Sequence, residues 1–156
     1  MHVSAVFQNV IISYSVAEPN TGYMADWVKT IVELSRDNPR GVASIIVIDG
    51  SAKPPSEEIR ADIKRAIAQA GPHLRGLAQV VEGTGFGAAA KRSALSVITL
   101  VARFPFPIKI FSTRREAAFW VKEMLSDPSL GKRYEGLRAE DIVHACDAVC
   151  SPSNLA

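Results

Sequence analysis

Cysteine is scarce in this chain: there are two, Cys146 and Cys150, both near the C-terminal end. Two neighbouring thiols make no disulfide framework, which points to a reducing compartment, and a cytoplasmic protein is expected. An excess of one charge is missing too. Lys and Arg number 18 against 16 Asp and Glu, a formal net charge of +2, and they are scattered along the chain. A nucleic-acid binder carries a basic stripe, so no nucleic-acid partner is expected, while a local site for an anion stays open. Long apolar runs are lacking as well. The longest, Ser93 to Ala102 between Arg92 and Arg103, falls well short of the roughly 20 residues a membrane helix needs, and reads as a buried helix. The first residues have no basic stretch, and Gln8 and Asn9 interrupt their apolar run, so no secretory signal is expected. Repeats and low-complexity tracts are absent.

The chemistry of familiar catalytic centres is missing in the same way. There is no Gly-x-Ser-x-Gly elbow, no phosphate loop ending in lysine and no pair of catalytic carboxylates. His2 and His73 have no evident acid or nucleophile beside them. His144, Cys146 and Cys150 lie close in sequence, but on a helix the two thiols share a face from which His144 points away, and a fourth ligand is wanting. The cysteines read as core, and neither a metal nor a cofactor is expected.

What is present is the balance of an ordinary globular domain, 47% hydrophobic and 22% charged over 156 residues. Val3 to Phe7 and Val10 to Val16 are rich in β-branched residues. Gln8-Asn9 turns a hairpin between them, or the whole stretch is one strand. Met24, Trp27, Val28, Ile31 and Leu34 recur at helical spacing up to Asn38-Pro39. Val42 to Ile48 reads as a strand buried on both faces. Ser56 caps a helix with Glu57 and Glu58 in its first turn and an apolar stripe of Ile59, Ile63, Ile67 and Ala70, stopped by Gly71-Pro72. Leu77 to Val81 is the next strand, Phe86 to Phe104 a long helix, and Ile108 to Phe111 a short strand. Thr113 to Glu116 forms a capping box, opening a helix with Ala117, Trp120, Val121 and Met124 on one face. Ala139 to Cys150 is a last helix with Ile142, Val143, Cys146 and Val149 inward. Trp27 and Trp120 read as core.

This alternation predicts an α/β fold: a mixed, mainly parallel sheet with an N-terminal hairpin or strand, covered by helices, in one domain with its core over 3–126 and a C-terminal helical extension over 127–156. If the strands run parallel, the loops that follow them share one rim, where ligands of open α/β sheets usually bind. That rim gathers Asp49, Ser51, Lys53, Glu82, Thr84, Ser112, Thr113, Arg114 and Arg115. Gly83-Thr84-Gly85-Phe86-Gly87-Ala88 fits G-x-G-x-x-A between a strand and a helix, with Lys91 and Arg92 one turn on. Such a loop lets backbone amides approach a phosphate. Tight turning and close packing explain the same glycines, because the motif sits late in the chain and too little chain follows to complete a dinucleotide fold.

The order of elements over residues 3 to 126 resembles the STAS and SpoIIAA-like family of anti-sigma-factor antagonists and sulfate-transporter domains, and also bacterial STAS/SEC14-like proteins. It is a likeness of architecture. The resemblance implies a SpoIIAA-like fold and a serine after a central strand that a partner kinase phosphorylates. Ile48-Asp49-Gly50-Ser51-Ala52 places Ser51 nearest to it. No glycine follows that serine as the family pattern requires, and Lys53-Pro54-Pro55 delays the helix, so Ser56 rather than Ser51 stands at a helix start. The leading reading is thus a non-enzymatic regulatory domain with a protein partner, switched at Ser51 or Ser56. The alternative is a small-molecule or nucleotide-binding protein taking an anionic ligand at Gly83, Gly85, Lys91, Arg92 and Arg114. A third reading, a carrier of lipid or another apolar ligand, comes from the Ser93–Ala102 run, which more simply covers the sheet. A homodimer is neither indicated nor excluded.

Overall fold

The computed structural model describes residues 2–39, 41–101, 104–126, 136–151 and 153, and of residues 97–101 the backbone alone. The expectations for the second half of the Ser93–Ala102 run and for residues 127–135 therefore lie outside the described side chains. Five strands form one sheet in the order β1-β2-β3-β4-β5, the order in which the chain visits them. They are β1 His2–Phe7, β2 Val10–Ser15, β3 Val42–Ile48, β4 Leu74–Val81 and β5 Ile108–Phe111. β1 is antiparallel to β2, and β2 through β5 run parallel.

The hairpin form of the N-terminus is the one adopted. Gln8 turns it with φ 54°. Asn9 is fully buried; its side-chain amide donates to Gly41 O at 2.9 Å, while its backbone O accepts from Ala43 N at 3.1 Å, which pins the turn to the start of β3. The helices are α1 Thr21–Asp37, α2 Glu57–Ala70, α3 Phe86–Val101, α4 Arg114–Leu125 and α5 Ala139–Val149. Asn20, Ser56 and Thr113 cap α1, α2 and α4 through side-chain oxygens that accept from Tyr23, Ile59 and Glu116 amides. Each such cap contributes about 1 kcal/mol. At the end of α2 a short 3-10 turn, Gly71–His73, leads straight into β4, which begins three residues before the expected Leu77.

Period-two alternation sends the sheet's side chains to two faces. On one face Val10, Ile12, Tyr14, Ile45, Val47 and Val80 pack under α4 and α5. α5 is not a loose extension: Ile142, Cys146 and Val149 are at most 4% exposed and belong to this cluster. On the other face Ile11, Val42 and Leu77 pack with Trp27 and Ile31 of α1, Ile67 of α2, and Phe106. Leu95 of α3 also looks toward this side. Crossovers of one handedness stepping steadily across the sheet must drop their helices on the same side. Three helices therefore share one face, and the chain returns to cover the other last. Among the described residues, no helix is long and apolar enough to cross a membrane.

Candidate functional site

Because β3, β4 and β5 are parallel, the loops after them meet. Asp49 accepts from the Tyr14 hydroxyl at 2.9 Å and from the Ser51 amide at 2.8 Å, and also from the Ser51 hydroxyl. These bonds, those of Ser51 first, hold the Asp49 carboxyl below the usual carboxylate range. Burial, together with the bond to Asp49, pushes the Tyr14 phenol up to about 12. Gly50 passes so close to the next loop that a Cβ on it would stand 2.7 Å from Glu82 O.

The rim's cations are turned inward. Lys91 Nζ donates to Ala52 O at 2.7 Å and also to Gly50 O. Arg92 donates to Val81 O at 3.0 Å and Gly83 O at 3.3 Å. Arg114 grips both oxygens of Glu82 at 2.6 and 2.7 Å and reaches Asp147 of α5 at 2.9 Å. Gly83 and Gly85 have φ of 114° and 96°, and Ala88 packs beneath Gly83, so the G-x-G-x-x-A spacing serves a left-handed turn and a close approach. Thr84 is exposed, and Thr113 is engaged with Glu116 in the expected capping box. The structure thus gathers Asp49, Ser51, Glu82, Gly83, Lys91, Arg92, Thr113 and Arg114 on one rim, but as a lock between loops. Lys91, Arg92 and Arg114 are each engaged within the protein.

Removing the Arg114 guanidinium is expected to loosen that lock. The side chains of Arg114 and Glu82 are 23% and 31% exposed. Arg114→Met should cost about 1–3 kcal/mol, between the values for surface and for buried pairs. Urea denaturation should further show that Glu82→Gln in the Arg114→Met background costs less than it does alone.

The thiols are buried, and His2 and His73 are hydrogen-bonded within the protein. Burial raises Cys146 to about 12 and Cys150 to about 11, so neither is a thiolate at neutral pH. His2 bonds Glu18 O and the Ser15 hydroxyl and stacks on Tyr23, His73 bonds the Ser35 hydroxyl, and His144 is exposed. Among the described residues no group of three His, Cys, Asp or Glu could hold a metal.

Space lies elsewhere, between the sheet and the layer of three helices. A cavity of about 500 Å³ opens near the C-terminal ends of β2 and β3. Its floor is the sheet face bearing Ile46, Ile48, Leu77, Gln79 and Ile108. Its walls come from Met24 and Trp27 of α1, Ile63 and Ile67 of α2, Leu95 of α3, and Phe104. Its mouth carries Glu18, Lys53, Arg60 and Lys64. Glu18 closes one side of the mouth by accepting the Ser56 amide, which also holds its carboxyl below the usual range.

The floor is more polar than a buried face should be. In register across it lie Ile11, Ser44, Leu77 and Ile108, then Ser13, Ile46, Gln79 and Ile110, then Ser15, Ile48 and Val81. Ser44 accepts from the Trp27 indole at 3.1 Å, Ser13 bonds Ser4 at 2.9 Å, and Ser15 bonds His2 and Ala17 O. Gln79 differs: its Oε1 is buried without a hydrogen-bond partner. An orphaned amide oxygen costs about 1–3 kcal/mol; Gln79 lines the chamber, so a turn of its amide would present that oxygen to a ligand's donor.

The cavity was not among the sequence-derived candidates. Its signal was present in part: serines and a glutamine interrupting strands that otherwise read as apolar, and two facing helices with apolar stripes. No family model matches this chain, nor does any curated protein or solved structure.

Proposed function

We propose that this protein is a non-enzymatic regulatory domain that binds a small, largely apolar molecule in the cavity between its sheet and α1–α3. The observation that carries the reading is the chamber itself, about 500 Å³ with almost wholly apolar walls. Its volume falls in the usual range for ligand sites, and native interiors rarely leave such a space without use. The rim weighs in the same direction, since Lys91, Arg92 and Arg114 are already engaged within the protein. The two free, buried thiols fit a reducing cytoplasm. The architecture, a hairpin followed by alternating strands and helices, is what supports a STAS-like relationship, and fold analogy of this kind says little about activity.

The test is a thermal-shift screen of uncharged apolar probes, followed through Trp27, whose indole lines the chamber. A fitting probe at 100 times its dissociation constant should stabilise the protein by about 2.7 kcal/mol and change the tryptophan emission. Absence of both effects across aliphatic and aromatic probes would sink the reading.

One observation favours a second layer of control through a protein partner. Ser51 and Ser56 are both exposed, but Ser51 is already bonded to the Asp49 carboxylate, whereas Ser56 caps α2 beside the cavity mouth. A phosphate on Ser56 would sit at a helix N-terminus and repel Glu18 from the amide it holds. Mass spectrometry of the protein isolated from its cells checks this reading, which fails if Ser56 is never modified.

A further inference from the structure

The cavity has a mouth with three cations against one carboxylate and a floor with an unanswered acceptor, and together they describe a ligand. We propose, resting on the cavity reading above, that the occupant is an amphipathic carboxylate carrying a hydroxyl or amide N–H partway along its apolar body.

The charge comes first. Lys53, Arg60 and Lys64 line the opening against Glu18 alone. Lys53 and Lys64 are exposed and form no ion pair among the described residues. Arg60 gives its Nε to Pro55 O at 3.0 Å and keeps its other donors. Glu18 is occupied with the Ser56 amide. Flexible, hydrated cations at the entrance of an apolar chamber suit a head group that stays at the water boundary while its tail goes in.

A carboxylate fits this entrance better than a phosphate. The nearest helix start, that of α2, has its Ile59 amide taken by Ser56 and its Ser56 amide taken by Glu18. Fewer backbone donors remain to surround a dianion, and side-chain cations suffice for a monoanion.

The body follows from the walls. Trp27, Ile46, Ile63, Leu77 and Phe104 offer apolar contact to an alkyl or aromatic chain. The hydroxyl or N–H follows from Gln79. It stands in the middle row of the floor between Ile46 and Ile110, and its Oε1 is buried and unpaired. The three serines on the same face all have partners. Of the cavity lining, the Tyr23 hydroxyl and Gln79 Oε1 are buried without a hydrogen bond, and Gln79 Oε1, which can only accept, is the one a guest's donor would answer.

The experiment titrates the purified full chain, below micelle-forming concentrations, with dodecanoate, dodecanol, dodecyltrimethylammonium and a set of monohydroxydodecanoates, reading Trp27 emission and calorimetric heat. Dodecanoate is expected to bind about five- to tenfold tighter than dodecanol, the scale of a few partly screened charge contacts, and the margin should shrink with added salt. The exposed double variant Lys53→Glu with Lys64→Glu should erase that margin and leave dodecanol binding unchanged. At least one hydroxydodecanoate isomer should exceed dodecanoate, and Gln79→Leu should remove its advantage without weakening dodecanoate. Dodecanol or the cationic probe binding as tightly as dodecanoate overturns the carboxylate while the cavity reading stands. A hydroxyl that helps at no position overturns the role of Gln79. Binding of none of the probes overturns the cavity reading itself.

Discussion

Ile46→Trp is expected to weaken binding of apolar probes strongly while leaving the protein folded. Ile46 stands in the middle of the cavity floor, next to Gln79 in register. An indole there grows into about 500 Å³ of open space rather than into a packed core. The usual overpacking cost of about 1–3 kcal/mol is therefore largely avoided. A β-strand tolerates tryptophan well. Filling the chamber should weaken probe binding by about a hundredfold, the equivalent of 2.7 kcal/mol. Ile63→Trp on the α2 wall should act in the same way from the opposite side. Calorimetry on the two variants checks both, with thermal unfolding as the control for folding. Probe affinity unchanged in both variants would mean that probes bind outside the chamber.

Ending the chain at Ser126 is expected to leave a protein without a cooperative unfolding transition. Leu137, Ile142, Cys146 and Val149 are 0–4% exposed and belong to the cluster under α4. Removing α5 would expose Ile12, Tyr14 and their neighbours on one whole face of the hairpin side. Burying one such aliphatic side chain contributes about 1.5–3 kcal/mol. The three aliphatic ones, Leu137, Ile142 and Val149, amount to about 4.5–9 kcal/mol, comparable with the whole stability of a domain, about 5–15 kcal/mol. The gentler version, Ile142→Ala, should cost about 2–5 kcal/mol by creating a cavity at a fully buried position. Denaturant melts of the two proteins measure this. A truncated chain that melts cooperatively at the full-length temperature would show that α5 is dispensable.

Much of the architecture was legible in the residues. The β-branched run Val42–Ile48 and the Thr113–Glu116 capping box act over a few positions, and local chemistry decides them. At Gln8-Asn9, by contrast, the residues suit a turn or one long strand, and the turn is fixed by Gly41 and Ala43. The meeting of the rim loops followed from parallel strands alone. What could not be read was set by distance across the fold. Lys91, Arg92 and Arg114 offer positive charge in the sequence, but their partners, Gly50, Ala52, Val81, Gly83, Glu82 and Asp147, are supplied by other elements. The cavity is a gap between layers, and no single residue encodes a gap. The inward side of the last helix was legible in Ile142, Val143, Cys146 and Val149, but not the sheet face it covers, which depended on what was still uncovered when the chain had crossed it.

The strand order has one more consequence, for how the molecule assembles. Strands β2 to β5 join the sheet one after another, each next to the strand made just before it. Their contacts close short stretches of chain, and the entropy lost in each closure is modest. Gln8 and Gly136, bonded across 128 positions, belong to a far wider closure, that of the hairpin with the C-terminal segment. A ribosome releasing this chain therefore exposes a sheet that has one oily side shielded and the other covered by α4 only over β3 to β5, until α5 emerges and seals β1 and β2.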